Sequence, residues 1–115
     1  MSIGLTIELE ELERRVILRL GGRLDVASAP ILERRLNDLI QEEHCDLLLD
    51  FSRIDYLSSA GMRVLLSIAK KLEAKKGKMI LFALGEEVYE VVKMAGFDKI
   101  LRIFDSEKEA IQFQK

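Results

Sequence analysis

The chain has 115 residues, 49% of them hydrophobic and 33% charged, and its 18 Lys and Arg against 20 Asp and Glu leave a formal net charge of -2. At roughly 100–200 residues per domain this is one domain, residues 1–115, long enough to bury a core, and a single proline with no low-complexity tract argues against disorder. No apolar run approaches the roughly 18 residues of a membrane helix, the charge balance argues against nucleic acid as the main partner, and one cysteine (Cys45) with one histidine (His44) leaves no intramolecular disulfide and no metal site built from several such ligands.

In chain order, Leu5, Ile7 and Leu9, then Val16, Leu18 and Leu20, alternate with polar residues. They predict two half-buried strands joined by a turn over Glu10 to Arg14, an antiparallel hairpin. Gly21-Gly22 is expected to end the second strand. A helix over about 29–43 follows from Leu32, Leu36, Leu39 and Ile40 on one stripe, with Ser28 as its N-cap and Pro30 in its first turn. Leu47-Leu48-Leu49, without alternation, suits a strand covered on both faces in a parallel sheet.

The second helix is expected over about 60–76, burying Leu65, Ile68, Ala69 and Leu72, with Gly77 as its C-terminal cap. Met79 to Ala83 predicts another buried strand. Val88, Val91, Val92 and Ala95 predict a third helix closed by Gly96. Ile100 to Phe104 predicts a short last strand, and Ser106 with Glu109 a capping box for a final helix. The order β-β-α-β-α-β-α-β-α implies an α/β fold with one mixed, mostly parallel sheet.

Chemistry concentrates in Asp55-Tyr56-Leu57-Ser58-Ser59-Ala60-Gly61-Met62, between a buried strand and a helix start. Either serine could serve as an N-cap, but capping needs only one. A helix N-terminus also tolerates an anion, and phosphorylating a serine there adds about -1.5 to -2 charges without disturbing the fold. Asp25, after the second strand, falls on a loop at the same end of the sheet. It either shares a surface with Ser59 or bonds nearby loop N–H groups.

Enzyme signatures are missing: the serines lack a Gly-x-Ser-x-Gly elbow, His44 falls at the opposite end of the sheet, and there is no Gly-rich phosphate loop. Lys70, Lys71, Lys75, Lys76 and Lys78 read as a solvated helix face rather than an anion site. Cys45, Met62 and Met94 read as packing residues.

Three segments carry a family resemblance: Gly22-Arg23-Leu24-Asp25, Leu47-Leu48-Leu49-Asp50-Phe51-Ser52, and Leu57-Ser58-Ser59-Ala60-Gly61-Met62-Arg63. Taken in order, they resemble the STAS domain of bacterial anti-sigma factor antagonists. The resemblance implies one STAS domain that is not itself an enzyme and needs no cofactor or metal. Its partner is implied to be an anti-sigma factor serine kinase, which uses ATP to phosphorylate the antagonist and so ejects it. A serine phosphatase restores the binding form, in the cytoplasm, without direct DNA binding or membrane insertion.

Alignment on Ala60-Gly61 puts the implied phosphoacceptor at Ser59, with Ser58 as cap or secondary acceptor. The implied partner surface comprises Asp25, Ser58, Ser59, Gly61, Met62 and Arg63. The family commonly has Asp where this chain has Ser58. A second reading keeps the fold but makes the protein a constitutive, unphosphorylated adaptor in a lipid-transport or signalling assembly.

Overall fold

The structure, a computed structural model, describes residues 4–113. Strands β1 (Leu5–Leu12) and β2 (Arg15–Leu24) lead into helix α1 (Ala29–Gln41), then β3 (Asp46–Leu57), α2 (Ser59–Ala74), β4 (Lys78–Phe82) and α3 (Glu86–Met94). A 3-10 turn over Phe97–Lys99, β5 (Arg102–Phe104) and α4 (Glu107–Gln112) complete the expected order. The five strands form one sheet in sequence order. β1 is antiparallel to β2 and all other pairs are parallel.

Alternation along the strands divides the core. Leu18, Leu49, Phe51 and Leu81 face a main cluster completed by α1, α2 and α3. Ile17, Leu48, Ile80 and Phe82 face a smaller cluster closed by Ala110 of α4. The unbroken Leu47 to Leu49 run is therefore buried on both faces, as a central parallel strand requires.

Beside the start of α4 the same sheet face turns polar. Arg19 of β2 pairs there with Glu10, Asp50 and Glu107, each at 2.9 Å. The Glu107 carboxylate contributes most to holding the guanidinium proton, raising its pKa further above an already basic value. Burial pushes the Asp50 carboxyl up, but the Ser52 N–H at 2.9 Å, the Ser52 hydroxyl and Arg19 together hold it below the usual range.

Several boundaries differ from expectation for physical reasons. Pairing in the hairpin runs to Leu12↔Arg15, so only Glu13 and Arg14 form the turn, with Glu13 at φ 58°. Gly21-Gly22 does not end β2. Gly22 sits at a register shift inside the strand with φ 99°, where a Cβ would collide with the Gly4 carbonyl. β3 continues past Asp50 to Leu57. The left-handed residue after α2 is Lys76 (φ 64°), not Gly77. Gly77 instead lets its backbone pass against Cys45.

Strand β4 ends at Phe82, and Ala83 turns away at φ 62°. Only Val88 and Val92 of α3 are buried; Val91 and Ala95 are exposed, and Met94, expected to pack, is 83% exposed. Gly96 does adopt the left-handed conformation that closes the helix. Ile100 and Leu101 precede the last strand rather than join it. Ser106 accepts from the Glu109 N–H, while the Glu109 carboxylate reaches the N–H of Asp105 instead of Ser106.

Candidate functional site

The parallel strands place the C-terminal ends of β2 and β3 side by side, with Arg23↔Tyr56 and Leu24↔Leu57 in register. The chain leaves β3 at Leu57 and enters α2 at once. Ser58 is the N-cap, in extended backbone, and its hydroxyl accepts from the Gly61 N–H at 3.1 Å. Its own N–H donates to the Leu24 carbonyl at 2.9 Å. Ser58 is half-buried and occupied by structural bonds.

Ser59, the first residue of α2, is exposed. No side-chain hydrogen bond ties down its hydroxyl among the described residues. The first turn of α2 carries no acidic side chain of its own to offset the partial positive charge of the helix start. The exposed Arg63 lies one turn further along the helix. The two serines are thus adjacent in sequence but differ in state: one is committed to the fold, the other presented to solvent.

Gly61 and Met62 lie beneath this surface. A Cβ on Gly61 would stand 2.7 Å from the Leu24 Cγ and 3.0 Å from the Leu57 Cδ1, so only glycine lets α2 approach the strand ends this closely. Met62 is 7% exposed and belongs to the main core. Both residues therefore support the surface from below, while Asp25, Ser58, Ser59 and Arg63 reach solvent.

Asp25 caps its own loop. Its Oδ1 accepts from the N–H groups of Ala27 and Ser28, both at 3.1 Å. Ser28, fully buried, makes no capping bond to α1. It accepts from the Asp25 N–H at 2.9 Å and donates to the Arg23 carbonyl at 2.8 Å. These contacts, the Ser28 N–H foremost, hold the Asp25 carboxyl below the usual carboxylate range against its partial desolvation, with Arg23 assisting at 3.7 Å. The Arg23 guanidinium also stacks 4.2 Å from the centre of the Tyr56 ring.

The sequence does not reveal that stack, nor the exposed Val26 (76%) beside Asp25. Between α1 and α2, Val26, Pro30, Ala60, Arg63 and Val64 line a shallow groove of about 390 Å³ next to Ser59. The result is a firm, mixed apolar and polar face with the Ser59 hydroxyl exposed at its edge. His44 and Cys45 lie at the other end of the sheet, at the start of β3. Among the described residues, no group of His, Cys, Asp and Glu could hold a metal ion. No helix there is long and apolar enough to cross a membrane.

Comparison with known proteins places this geometry. The STAS domain family model matches residues 6–110. The chain is 33% identical over 104 residues to BtrV of Bordetella bronchiseptica, an inferred anti-sigma factor antagonist, covering 90% of each chain. It is 28% identical over 110 residues to the anti-sigma F factor antagonist of Paenibacillus polymyxa, covering 95% of this chain and 94% of that one. Among solved structures, the anti-sigma factor antagonist SpoIIAA in its unphosphorylated form superposes with a TM-score of 0.80 at 26% identity, over 92% of this chain and 93% of that one. SpoIIAA of Bacillus in its phosphorylated form gives 0.73 at 25% identity, over 92% and 96%. The chain belongs to the STAS domain family.

Proposed function

We propose that this STAS domain is an anti-sigma factor antagonist controlled by phosphorylation of Ser59. Unmodified, it docks through the face around Asp25, Ser59 and Arg63 on an anti-sigma factor that is also a serine kinase, and the sigma factor is released. The kinase supplies ATP and catalysis; the antagonist supplies the acceptor hydroxyl and is not itself an enzyme. A serine phosphatase returns it to the binding form, and the exchange takes place in the cytoplasm.

The observation that carries this reading is the contrast between the two hydroxyls. Ser58 Oγ is spent on the Gly61 N–H, whereas Ser59 Oγ is exposed at the start of a helix whose first turn holds no carboxylate. A phosphate there adds about -1.5 to -2 charges beside partly unpaired N–H groups, so the fold tolerates it. A partner packed against a neutral hydroxyl instead meets an anion that it must desolvate. The similarity to SpoIIAA, solved in unphosphorylated and phosphorylated forms, supports the same reading.

The test is binding to the serine-kinase anti-sigma factor of the same cell. Ser59→Ala is expected to bind and to resist release by ATP. Ser59→Asp is expected to bind about a hundredfold more weakly or worse, equivalent to at least ~2.7 kcal/mol. Equal affinity of Ser59→Asp and the parent chain overturns the charge switch and favours a constitutive adaptor.

A further inference from the structure

The N-terminal ends of the parallel strands, opposite Ser59, gather a second surface. α2 and the turn after it deliver Lys70, Lys75 and Lys76 there, β4 begins with Lys78, the segment before β5 brings Lys99 and Ile100, and β5 begins with Arg102. Lys70, Lys78, Ile100 and Arg102 line one small groove of about 140 Å³, with Glu73 as its single carboxylate. Lys78 stands 3.8 Å from Asp46, and the Arg102 guanidinium lies over the Phe113 ring at 5.0 Å. Ile100 is 57% exposed, and Met94, at the end of α3 on the same end of the sheet, is the 83% exposed methionine. The lysines are therefore not only a solvated helix face. Segments far apart in sequence bring Lys70, Lys78 and Arg102 into one groove with the exposed Ile100, in a protein whose net charge is -2.

We propose that this groove docks an acidic segment of a partner protein, one that carries an apolar side chain between its carboxylates. Charge complementarity sets the sign of the occupant, and Ile100 sets the apolar component. No aromatic side chain lines the groove, so it offers no stacking platform for single-stranded nucleic acid and no aromatic anchor at a bilayer interface. Docking here is independent of the state of Ser59. Along α2, Lys70 of the groove stands 11 residues from Ser59, which at ~1.5 Å per residue is about 16 Å, roughly two Debye lengths at physiological salt. Screening over that distance leaves only a minor fraction of the potential of a phosphate on Ser59, so one partner can be held while another is exchanged.

The experiment titrates the 15N-labelled full chain, at physiological salt, with a capped synthetic peptide of repeating Glu-Leu-Asp. Saturable amide shifts centred on Lys70, Gly77, Lys78 and Ile100 are expected, equal in the parent chain and Ser59→Asp. Lys70→Glu and Ile100→Ser, both at exposed positions that the fold tolerates, are each expected to weaken binding about tenfold. Unsaturable shifts spread over all lysines overturn the proposal. So does tighter binding of a short DNA duplex or of phosphatidylcholine–phosphatidylserine vesicles, or self-association of the chain that survives without peptide but is lost in Lys70→Glu. Because the readout needs neither kinase nor phosphate, its failure is separate from any failure of the Ser59 reading.

Discussion

The N–H of Ser58 donates to the carbonyl of Leu24 across 2.9 Å, tying the first residue after β3 to the last residue of β2. This bond continues the parallel ladder by one step and sets the Asp25 loop against the start of α2. Two short segments 33 positions apart in sequence thereby become one surface. Its rigidity comes from the backbone, so the exposed side chains on it can change chemistry without moving the scaffold.

Gly61 holds that arrangement together, and its replacement is the sharpest test of it. In Gly61→Ala the new methyl meets the Leu24 side chain at 2.7 Å and its carbonyl at 3.1 Å. A loss of about 1–3 kcal/mol is expected from overpacking, together with weaker partner binding because α2 is pushed off the strand ends. Chemical denaturation measures the first effect and a pull-down the second. A variant as stable as the parent would show that the close approach is not needed.

The two adjacent serines should separate cleanly in stability. Ser58→Ala removes an N-cap acceptor and is expected to cost about 1 kcal/mol. Ser59→Ala removes an exposed hydroxyl without a side-chain partner and is expected to change stability by less than ~0.5 kcal/mol. Urea midpoints of the two variants check this, and the reverse order would mean that the hydroxyl roles are exchanged.

Lys76 occupies the left-handed conformation at φ 64° after α2. A non-glycine residue pays about 1–2 kcal/mol there, partly offset by the greater unfolded-state freedom of glycine. Lys76→Gly is therefore expected to stabilise the chain by roughly 0.5 kcal/mol or more, read as a higher thermal midpoint. Because Lys76 lies far from Ser59, the proposed partner exchange should be untouched.

Acid should weaken the fold through two carboxylates. The folded-state values of Asp25 and Asp50 are both lowered. Their stabilising contribution is complete above the unfolded carboxylate value of about 4 and drains as pH falls through the lower folded values. Denaturation midpoints should hold near neutral pH and drop below about pH 4. Asp50→Asn should flatten that drop; an unchanged acid limb would mean that the Asp50 carboxylate, held by Ser52 and Arg19, contributes no linked protonation.

Element order is legible because β1 and β2 keep a period of two, β3 and β4 carry short unbroken apolar runs, and most helices show one apolar stripe. β3 was underestimated at its far end for a definite reason. Phe51, Ile54 and Leu57 are buried while Ser52, Arg53, Asp55 and Tyr56 are exposed, a spacing of three that no alternation search reports. The register shifts between Arg19 and Gly21, and between Gly22 and Arg23, accompany that spacing in the neighbouring strand. The serine pair stands out because capping needs only one hydroxyl, and Asp25 because it follows a strand at the same end of the sheet. The Arg19 network joins residues as far apart as 19 and 107, and the lysine groove joins α2 to the start of β5. Neither leaves a local pattern, and only the folded sheet brings their members together.

The most direct measurement is to incubate the chain with its cognate serine kinase and ATP, then locate the added phosphate by fragmentation mass spectrometry. The account predicts a single phosphate on Ser59, with none on Ser58, and an unchanged thermal midpoint for the modified chain. A phosphate found on Ser58, or no phosphate while the kinase stays bound, would contradict it.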